Sequence, residues 1–314
     1  MPTLVFSYLR GLLQGVKPTA TSLSRQFGYS HDGLTRCLRK RFAWKQWYLW
    51  ILQVLFGSLS GGWLIIDDTV LAKPFGRKFP HACMVWDSSQ ERQVFGYNLV
   101  FICWSNGTVT IPLAWRWYKK DTKTKIELAQ SLLKEMKYVW KLTPEMILFD
   151  SWYGAADILN QLTTYHWTFV CRIKKNRIIN GCRLDEDLIS DGDTLRGLVT
   201  GSCSIQVVKN DQRFLATNSL TLLPHEIMEW YARRWAIEDC FRFLKDQLHL
   251  EGCQARTKTA QHTHLLTCIT AYLILQKEQS LLPEKTLYRL KEDWTFNKHL
   301  GLNRIQHYHN ILTA

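Results

Sequence analysis

Pro224-His-Glu-Ile-Met-Glu-Trp-Tyr231-Ala-Arg-Arg234-Trp-Ala-Ile-Glu238-Asp-Cys-Phe-Arg242-Phe-Leu-Lys245 is the stretch around which the rest of the chain is read. Proline opens a helix well because its missing N–H would be unpaired there anyway. Glu226 and Glu229 suit the positive N-terminal end, and no breaker follows before Gly252. The stretch predicts one helix from Pro224 to Leu250, about seven turns long. At about 100° per residue, Trp230, Ile237, Phe241, Leu244 and Leu248 share one stripe, while Tyr231, Arg234, Glu238, Arg242 and Lys245 fill an adjacent arc about 90° wide. A polar stripe therefore runs along the edge of a buried face. The same charges equally suit a solvated face with i,i+4 ion pairs between Glu238 and Arg234 or Arg242, so this pattern alone does not separate the two readings.

The 314 residues, 46% of them hydrophobic and including 14 Trp and 12 Tyr, are enough for one large or two ordinary folded domains. Forty Lys and Arg against 27 Asp and Glu leave a net charge of +13, spread along the chain rather than held in a tail. Such a charge calls for a polyanionic partner. With no basic amphipathic helix to anchor at a membrane surface, nucleic acid leads. The nine cysteines form no C-x-x-C pair, which argues against a zinc site or a disulfide framework and for reduced cytosolic thiols. The first residues lack the pattern of a signal peptide, and Tyr48–Ile66 is broken by Gln53, Ser58, Ser60 and Gly61-Gly62, so no membrane span is expected.

Residues 1–58 read as helical. Thr21–Phe27, the Gly28-Tyr-Ser turn and His31–Lys40 have helix-turn-helix spacing, with Ser30 as N-cap and Arg36, Arg39 and Lys40 at the end of the second helix. That pair suits a DNA groove, and short helix pairs with a glycine turn are equally common in ordinary bundles. After Gly62 the pattern turns to strands: Trp63–Ile66, His81–Trp86 and Val94–Trp104, the last joined by Asn106-Gly107 to Thr108–Trp117. A helix at Thr124–Trp140, a strand at Met146–Phe149, a helix at Ala155–Tyr165 and a strand at Trp167–Ile173 follow this antiparallel meander and close an α/β order. A β-rich insertion is expected at about 174–219, the long helix follows, Thr259–Gln276 is a further apolar helix, and the tail from Leu281 is polar. Lys174, Lys175 and Arg177 at the entry to the insertion fit a DNA path or a solvated basic loop. The pairs His262/His264 and His307/His309 lack further ligands nearby and read as core or surface histidines.

Three acids stand out. Asp67 and Asp150 each follow an apolar strand, and Glu238 lies on the polar stripe of the late helix. Carboxylates at strand ends sit where ligands gather in α/β sheets, and a helix across that sheet adds a third. Three converging carboxylates repel one another unless cations bind between them. Two hard ions such as Mg²⁺ or Mn²⁺ would relieve that repulsion and suit phosphodiester cleavage.

These residues resemble a known family, the DDE transposases of bacterial insertion sequences, and within it the insertion-sequence-four type. Ile65-Ile-Asp67-Asp-Thr69-Val-Leu71 looks like the family's first aspartate and Leu148-Phe-Asp150-Ser-Trp-Tyr153-Gly154 like its second. Tyr231, Arg234, Glu238 and Lys245 fit its Tyr-x2-Arg-x3-Glu-x6-Lys signature. Over roughly residues 60–275 the resemblance implies an α/β, RNase H-like mixed sheet flanked by helices, with a β insertion before the last catalytic helix. With the helical pattern of residues 1–58, which match no named motif, the chain is expected to divide into an N-terminal helical DNA-binding domain (1–58), a catalytic domain (59–280) and a C-terminal tail (281–314). The resemblance further implies that Asp67, Asp150 and Glu238 are catalytic ligands of two Mg²⁺ or Mn²⁺ ions. Tyr231, Arg234 and Lys245 would contact DNA phosphates, and either Asp67 or Asp68 would face the metal, the family's Asp-x-Thr spacing favouring Asp67. The implied activity is cut-and-paste transposition on double-stranded DNA, at terminal inverted repeats and target, by a homodimer assembled on the ends in the bacterial cytoplasm. An aromatic wedge for a flipped base would come from the insertion or from Trp152. The rival readings are a nuclease of the same fold without strand transfer and a non-catalytic DNA-binding protein.

Overall fold

The computed structural model describes residues 3–74, 76, 79, 82–87, 90–186 and 189–312. Among them the chain begins with helices α1 (Thr3–Leu13), α2 (Ala20–Phe27), α3 (His31–Arg39) and α4 (Trp44–Phe56). Strands β1 (Trp63–Ala72), β2 (Cys83–Asp87), β3 (Arg92–Ser105) and β4 (Thr110–Tyr118) follow, then α5 (Lys125–Tyr138), β5 (Met146–Phe149), α6 (Ala156–Thr164) and β6 (Phe169–Ile173). Next come β7 (Ile178–Ile179), β8 (Cys182–Arg183), β9 (Thr194–Leu198), β10 (Ser204–Asn210) and β11 (Arg213–Thr217). The last helices are α7 (Pro224–Ala232), α8 (Trp235–Asp246), α9 (Lys258–Leu281), α10 (Leu287–Phe296) and α11 (Lys298–Ile311). The chain forms two compact units, a sheet unit of Ser60–Thr69 with Asn98–Asp239 and a helical unit of Met1–Leu59, Val70–Tyr97 and Cys240–Ala314.

In the sheet unit the strands lie in the order β4-β3-β1-β5-β6-β11-β10-β9. β1, β5 and β6 are parallel, which requires crossovers, and α5 and α6 supply them. An antiparallel meander followed by parallel strands gives the mixed, RNase H-like α/β sheet expected from the sequence, with nine strands once β2, paired to the first half of β3 in the helical unit, is included. β5 is the unbroken apolar run Met146-Ile-Leu-Phe149, and all four side chains are buried because a central parallel strand is covered on both faces. The β3–β4 turn is closed by Asn106, whose Oδ1 accepts from the N–H groups of Thr108 and Val109, both at 3.0 Å. Gly62 brings the chain into β1 with φ +69°, and a Cβ there would lie 2.4 Å from the carbonyl oxygen of Ser105, so no other residue fits. The strands expected as an insertion extend this sheet: β11 pairs antiparallel with β6, then β10 and β9 follow, and β7 with β8 forms a separate two-stranded piece. The pairing satisfies an edge of β6 that would otherwise be left open.

The helix expected over Pro224–Leu250 is two helices. α7 ends at Ala232, and the chain tightens through three-residue hydrogen bonds, Arg234 N to Tyr231 O (3.1 Å), Ala236 N to Arg233 O (3.3 Å) and Ile237 N to Arg234 O (3.2 Å). α7 lies across β5, β6, β10 and β11. Its end is pinned by Trp230, whose ring meets Trp63 of β1 edge-on at 5.6 Å, with the Arg233 guanidinium 4.1 Å from the Trp230 ring centre. The break lets α8 leave on a new register while Arg233 stays with the tryptophans.

In the helical unit α9 is the axis, packed by α1, α3, α4 and α10. The helices of residues 1–58 thus share a core with the C-terminal helices. The tail expected to be polar forms α10 and α11, with Leu290, Trp294, Ile305 and Tyr308 buried. α2 and α3 have the expected turn, with Gly28 at φ +73° and the Ser30 side chain accepting from Gly33 N. The strand expected at His81–Trp86 is β2, and His81 lies outside the described residues. None of the described helices is long and apolar enough to cross a membrane.

Several polar side chains along α9 are buried and paired: Tyr308 donates to Glu278 at 2.7 Å, and Gln276 to the Tyr272 hydroxyl at 2.7 Å. His264, 1% exposed, is the most demanding of them. Its Nε2 faces the carbonyls of His249 and Leu250 at 3.1 Å, which makes Nε2 the protonated nitrogen, and Nδ1 meets the Tyr8 hydroxyl at 2.8 Å. Burial, with the Lys73 charge nearby, pushes its pKa down to about 3. The unfolded chain takes up that proton near pH 6.5 and the folded one does not, so stability is present above about 6.5 and is lost as pH falls towards 3. We expect denaturant titrations to show wild type losing up to about 1.4 kcal/mol per pH unit below pH 6 from this group. His264→Gln should be less stable at pH 7 with a flatter pH dependence, and parallel pH curves would contradict this assignment.

Candidate active site

β1 and β5 pair in parallel as far as Ile66↔Phe149, and β5 and β6 as far as Phe149↔Cys171. Ile66, Phe149 and Cys171 are all buried on one level of the sheet. One residue further the same register brings Asp67, Asp150 and Arg172 onto a single row, facing the opposite way because side chains alternate along a strand. β1 itself continues to Ala72, so Asp67 sits mid-strand, where pairing with β5 ends, rather than after the strand. Beyond β5 the Asp150 carboxylate accepts from Trp152 N at 3.0 Å and Tyr153 N at 3.4 Å, which closes the turn and fixes the side chain.

Alternation separates the Asp67-Asp68 doublet. Asp68 is fully engaged: Oδ2 accepts from Lys125 Nζ and Asn98 Nδ2, both at 2.7 Å, and Oδ1 from the Tyr153 hydroxyl at 2.9 Å. Burial and the carboxylates of Asp68 and Asp67 raise Tyr153 well above its ordinary value, so it stays a donor. Asp67 instead meets Arg234. Nη1 of that arginine lies 2.9 Å from Asp67 Oδ2, and Nη2 donates to Glu238 Oε1 one helical turn on. One guanidinium thus joins the first acid to the third. Its Nε is buried without a partner among the described residues, and its charge lies 5.6 Å from the Tyr231 ring centre.

The electrostatics are those of crowded acids. Burial, then Asp150, push Asp67 up to about 8, against the pull of Arg234. Asp150 is raised as well, mainly by burial. Burial opposes the charge on Arg234, but Asp67, Tyr231 and Glu238 outweigh it and hold the guanidinium above its ordinary value. The donor set is all carboxylate oxygen, and the unrelieved repulsion between Asp67 and Asp150 is what a hard divalent ion would relieve. The residues therefore fit Mg²⁺ or Mn²⁺ in kind. Among the described residues no three His, Cys, Asp or Glu side chains converge closely enough to enclose an ion, because Glu238 reaches Asp67 through Arg234.

The other residues singled out from sequence fall in three places. Lys174 and Lys175 are exposed and line a cavity of about 510 Å³ that Ser151, next to Asp150, also borders. Arg177 is committed to structure, donating to the Gly154 carbonyl. Arg36, Arg39 and Lys40 are exposed at the end of α3, and Lys245 lies in the last turn of α8, all in the helical unit. Three residues missed from sequence matter: Lys125 and Asn98, which hold Asp68, and Arg172, the one charged residue in the strand Phe169-Val-Cys-Arg172-Ile173. A lone charge in an otherwise buried strand was the available signal.

Residues 61–274 match the family model described as a transposase DDE domain. Among solved structures, the chain is similar to the piggyBac transposase in its synaptic complex with hairpin DNA, solved by cryo-electron microscopy. The TM-score is 0.58 at 13% identity, over 97% of this chain and 72% of that one. The endonuclease V of Bacillus subtilis aligns at TM-score 0.28 and 11% identity, over 57% of this chain and 81% of that one, and supports no structural argument. No curated protein matches. With the family model covering more than half of its length, the chain belongs to the DDE-domain transposases.

Proposed function

We propose that this transposase is of the insertion-sequence-four type and performs cut-and-paste transposition, with Asp67, Asp150 and Glu238 as its metal ligands. The observation that carries the reading is that Asp67 and Asp150 each lie one residue past the last paired residues of neighbouring parallel strands, Ile66 and Phe149, with Glu238 tied to Asp67 through one guanidinium. Two divalent ions, when bound, would supply an activated water or 3′ hydroxyl and stabilise the leaving oxygen of a phosphodiester. Asp67 and Asp150 provide a rigid pair of ligands because each is held by backbone, Asp67 within β1 with its Oδ1 accepting from Asp68 N at 2.8 Å and Asp150 by its turn. Glu238 sits in the first turn of α8, one turn from the Arg234 guanidinium that it accepts from. Asp68 supports the site from the opposite face through Lys125, Asn98 and Tyr153.

Arg234 serves two states in this reading. Without an ion it is the counter-charge that keeps Asp67 and Glu238 together, and with DNA its planar fork moves to a phosphate beside the cleaved bond. Tyr231 and Lys245 are proposed as further phosphate contacts, and α3 as the element that reads the terminal inverted repeat within an N-terminal DNA-binding segment. The partner is double-stranded DNA, at the element's ends and at the target, and two copies of the chain assemble on the paired ends. The net charge of +13 supports a DNA partner.

Asp67→Asn, Asp150→Asn and Glu238→Gln should each abolish cleavage of a labelled inverted-repeat duplex in Mg²⁺ while leaving DNA binding equal or tighter, since acid–phosphate repulsion is relieved. Asp68→Asn should still cut, with stability lowered by about 1–3 kcal/mol from the loss of its part-buried ion pair. Cutting at the wild-type rate by Glu238→Gln would sink the ligand assignment, and products lacking strand transfer would leave only a nuclease. Replacing Arg36, Arg39 and Lys40 by Ala should lower the log–log salt slope of end binding by about 0.9 for each phosphate no longer neutralised. An unchanged slope would remove α3 from the DNA-reading role.

A further inference from the structure

Arg172 has no folding role that accounts for its position. β6 is an interior strand, paired with β5 on one side and β11 on the other, and Phe169, Val170, Cys171 and Ile173 are all buried while Arg172 is exposed. An arginine held on the open face of a central strand, level with Asp67 and Asp150, makes no ion pair among the described residues. Two cavities meet at it. The first, about 510 Å³, is lined by Arg172, Lys174, Lys175 and Arg183 against a single described acid, Asp185, and reaches the acid row at Ser151. The second, about 340 Å³, is lined by Arg172, Arg213, Arg234 and Tyr231 with no acid among the described residues, and reaches the row through the Arg234 ion pairs.

Some of these cations are already occupied. Arg183 is paired with Asp185 at 2.7 Å and Arg234 with Asp67 and Glu238. Arg172, Arg213, Lys174 and Lys175 carry no such partner among the described residues. Lys174 is held at the first cavity by its position 5.5 Å from the centre of the exposed Trp152 ring. Unpaired charges of one sign in two concave sites that share a wall, flanking a row of acids, suit an extended chain of phosphates more than a single small anion.

We propose that Arg172 is the shared phosphate-binding residue of a DNA-strand track that runs from the first cavity into the second past Asp67 and Asp150, with Lys174 and Lys175 at one end and Arg213 at the other. The proposal rests on the assignment of Asp67 and Asp150 as the reacting centre for its position, but not for its binding chemistry. Arg172 spans the two sites, so its loss should weaken both, whereas loss of Arg213 or Lys175 should weaken one.

The test is binding of a fluorescent inverted-repeat duplex by the full chain in EDTA, across a salt series, so that no cleavage contributes. Arg172→Ala should lower affinity about tenfold and reduce the log–log slope by about 0.9, with Arg172→Lys restoring the slope because charge alone supplies the counterion term. Arg213→Ala should reduce the slope by the same step, and Lys123→Ala, an exposed lysine outside both cavities, should not change it. Thermal melting of each variant confirms that the fold is kept. A wild-type slope in Arg172→Ala, or an equal fall in Lys123→Ala, would overturn the track. Cleavage by Asp67→Asn with the slopes behaving as expected would instead overturn the catalytic assignment and leave the track standing.

Discussion

The sheet unit depends on one guanidinium between two carboxylates. Arg234 is the residue at which α7 stops and α8 has not yet begun, and its two Nη atoms reach Asp67 on β1 and Glu238 on α8. Without it, the sheet would face a crowded pair of acids, Asp67 and Asp150, with Glu238 free on the helix. Burial makes that crowding costly, as the rise of Asp67 to about 8 shows, and the enclosed arginine is the internal answer to it. The neighbouring Arg233 does something different with the same chemistry, lying on the Trp230 and Trp63 rings and fastening the end of α7 to the start of β1. Two consecutive arginines thus divide into one that sets the position of the helix break and one that spans the acids.

Much of the sheet was legible from sequence because its signals are local. The apolar run Met146–Phe149 and the Asn106-Gly107 turn each specify their own element. The acids were legible as residues that interrupt or end apolar strands. The break between α7 and α8 was not legible, because no Gly or Pro marks it: tertiary contacts of Trp230 and Arg233 and the reach of Arg234 decide it. The fate of residues 174–219 was likewise hidden, since strands rich in turns look alike whether they form their own sheet or dock on an open edge, and here β11 takes the edge of β6. Arg177 and Lys174 read alike as loop cations, yet only the structure shows that one holds the Gly154 carbonyl while the other stands over Trp152.

The helical unit follows a different logic. α9 carries His264, Thr267, Thr270, Gln276 and Glu278 into the core, which would be destabilising if they were left unpaired. Thr267 and Thr270 return their hydroxyls to carbonyls one turn back, and Glu278 is met by Tyr308 and by Arg304 at 3.5 Å. The first helices of the chain complete this core through Tyr8 on α1 and Leu34 and Leu38 on α3, leaving Arg36, Arg39 and Lys40 outside. Packing therefore fixes the inner face of α3, and its outer face carries the charge.

The most direct test of the exchange between Arg234 and a divalent ion is a Mn²⁺ titration followed by electron paramagnetic resonance on wild type and Arg234→Ala, without DNA. If the guanidinium is the resting counter-charge of Asp67 and Glu238, its removal eliminates a competitor. Arg234→Ala should then bind Mn²⁺ more tightly than wild type, by about tenfold for each 1.4 kcal/mol of ion pairing released. Equal or weaker binding by Arg234→Ala would show that the arginine does not stand in the place of the ion, and would contradict the account.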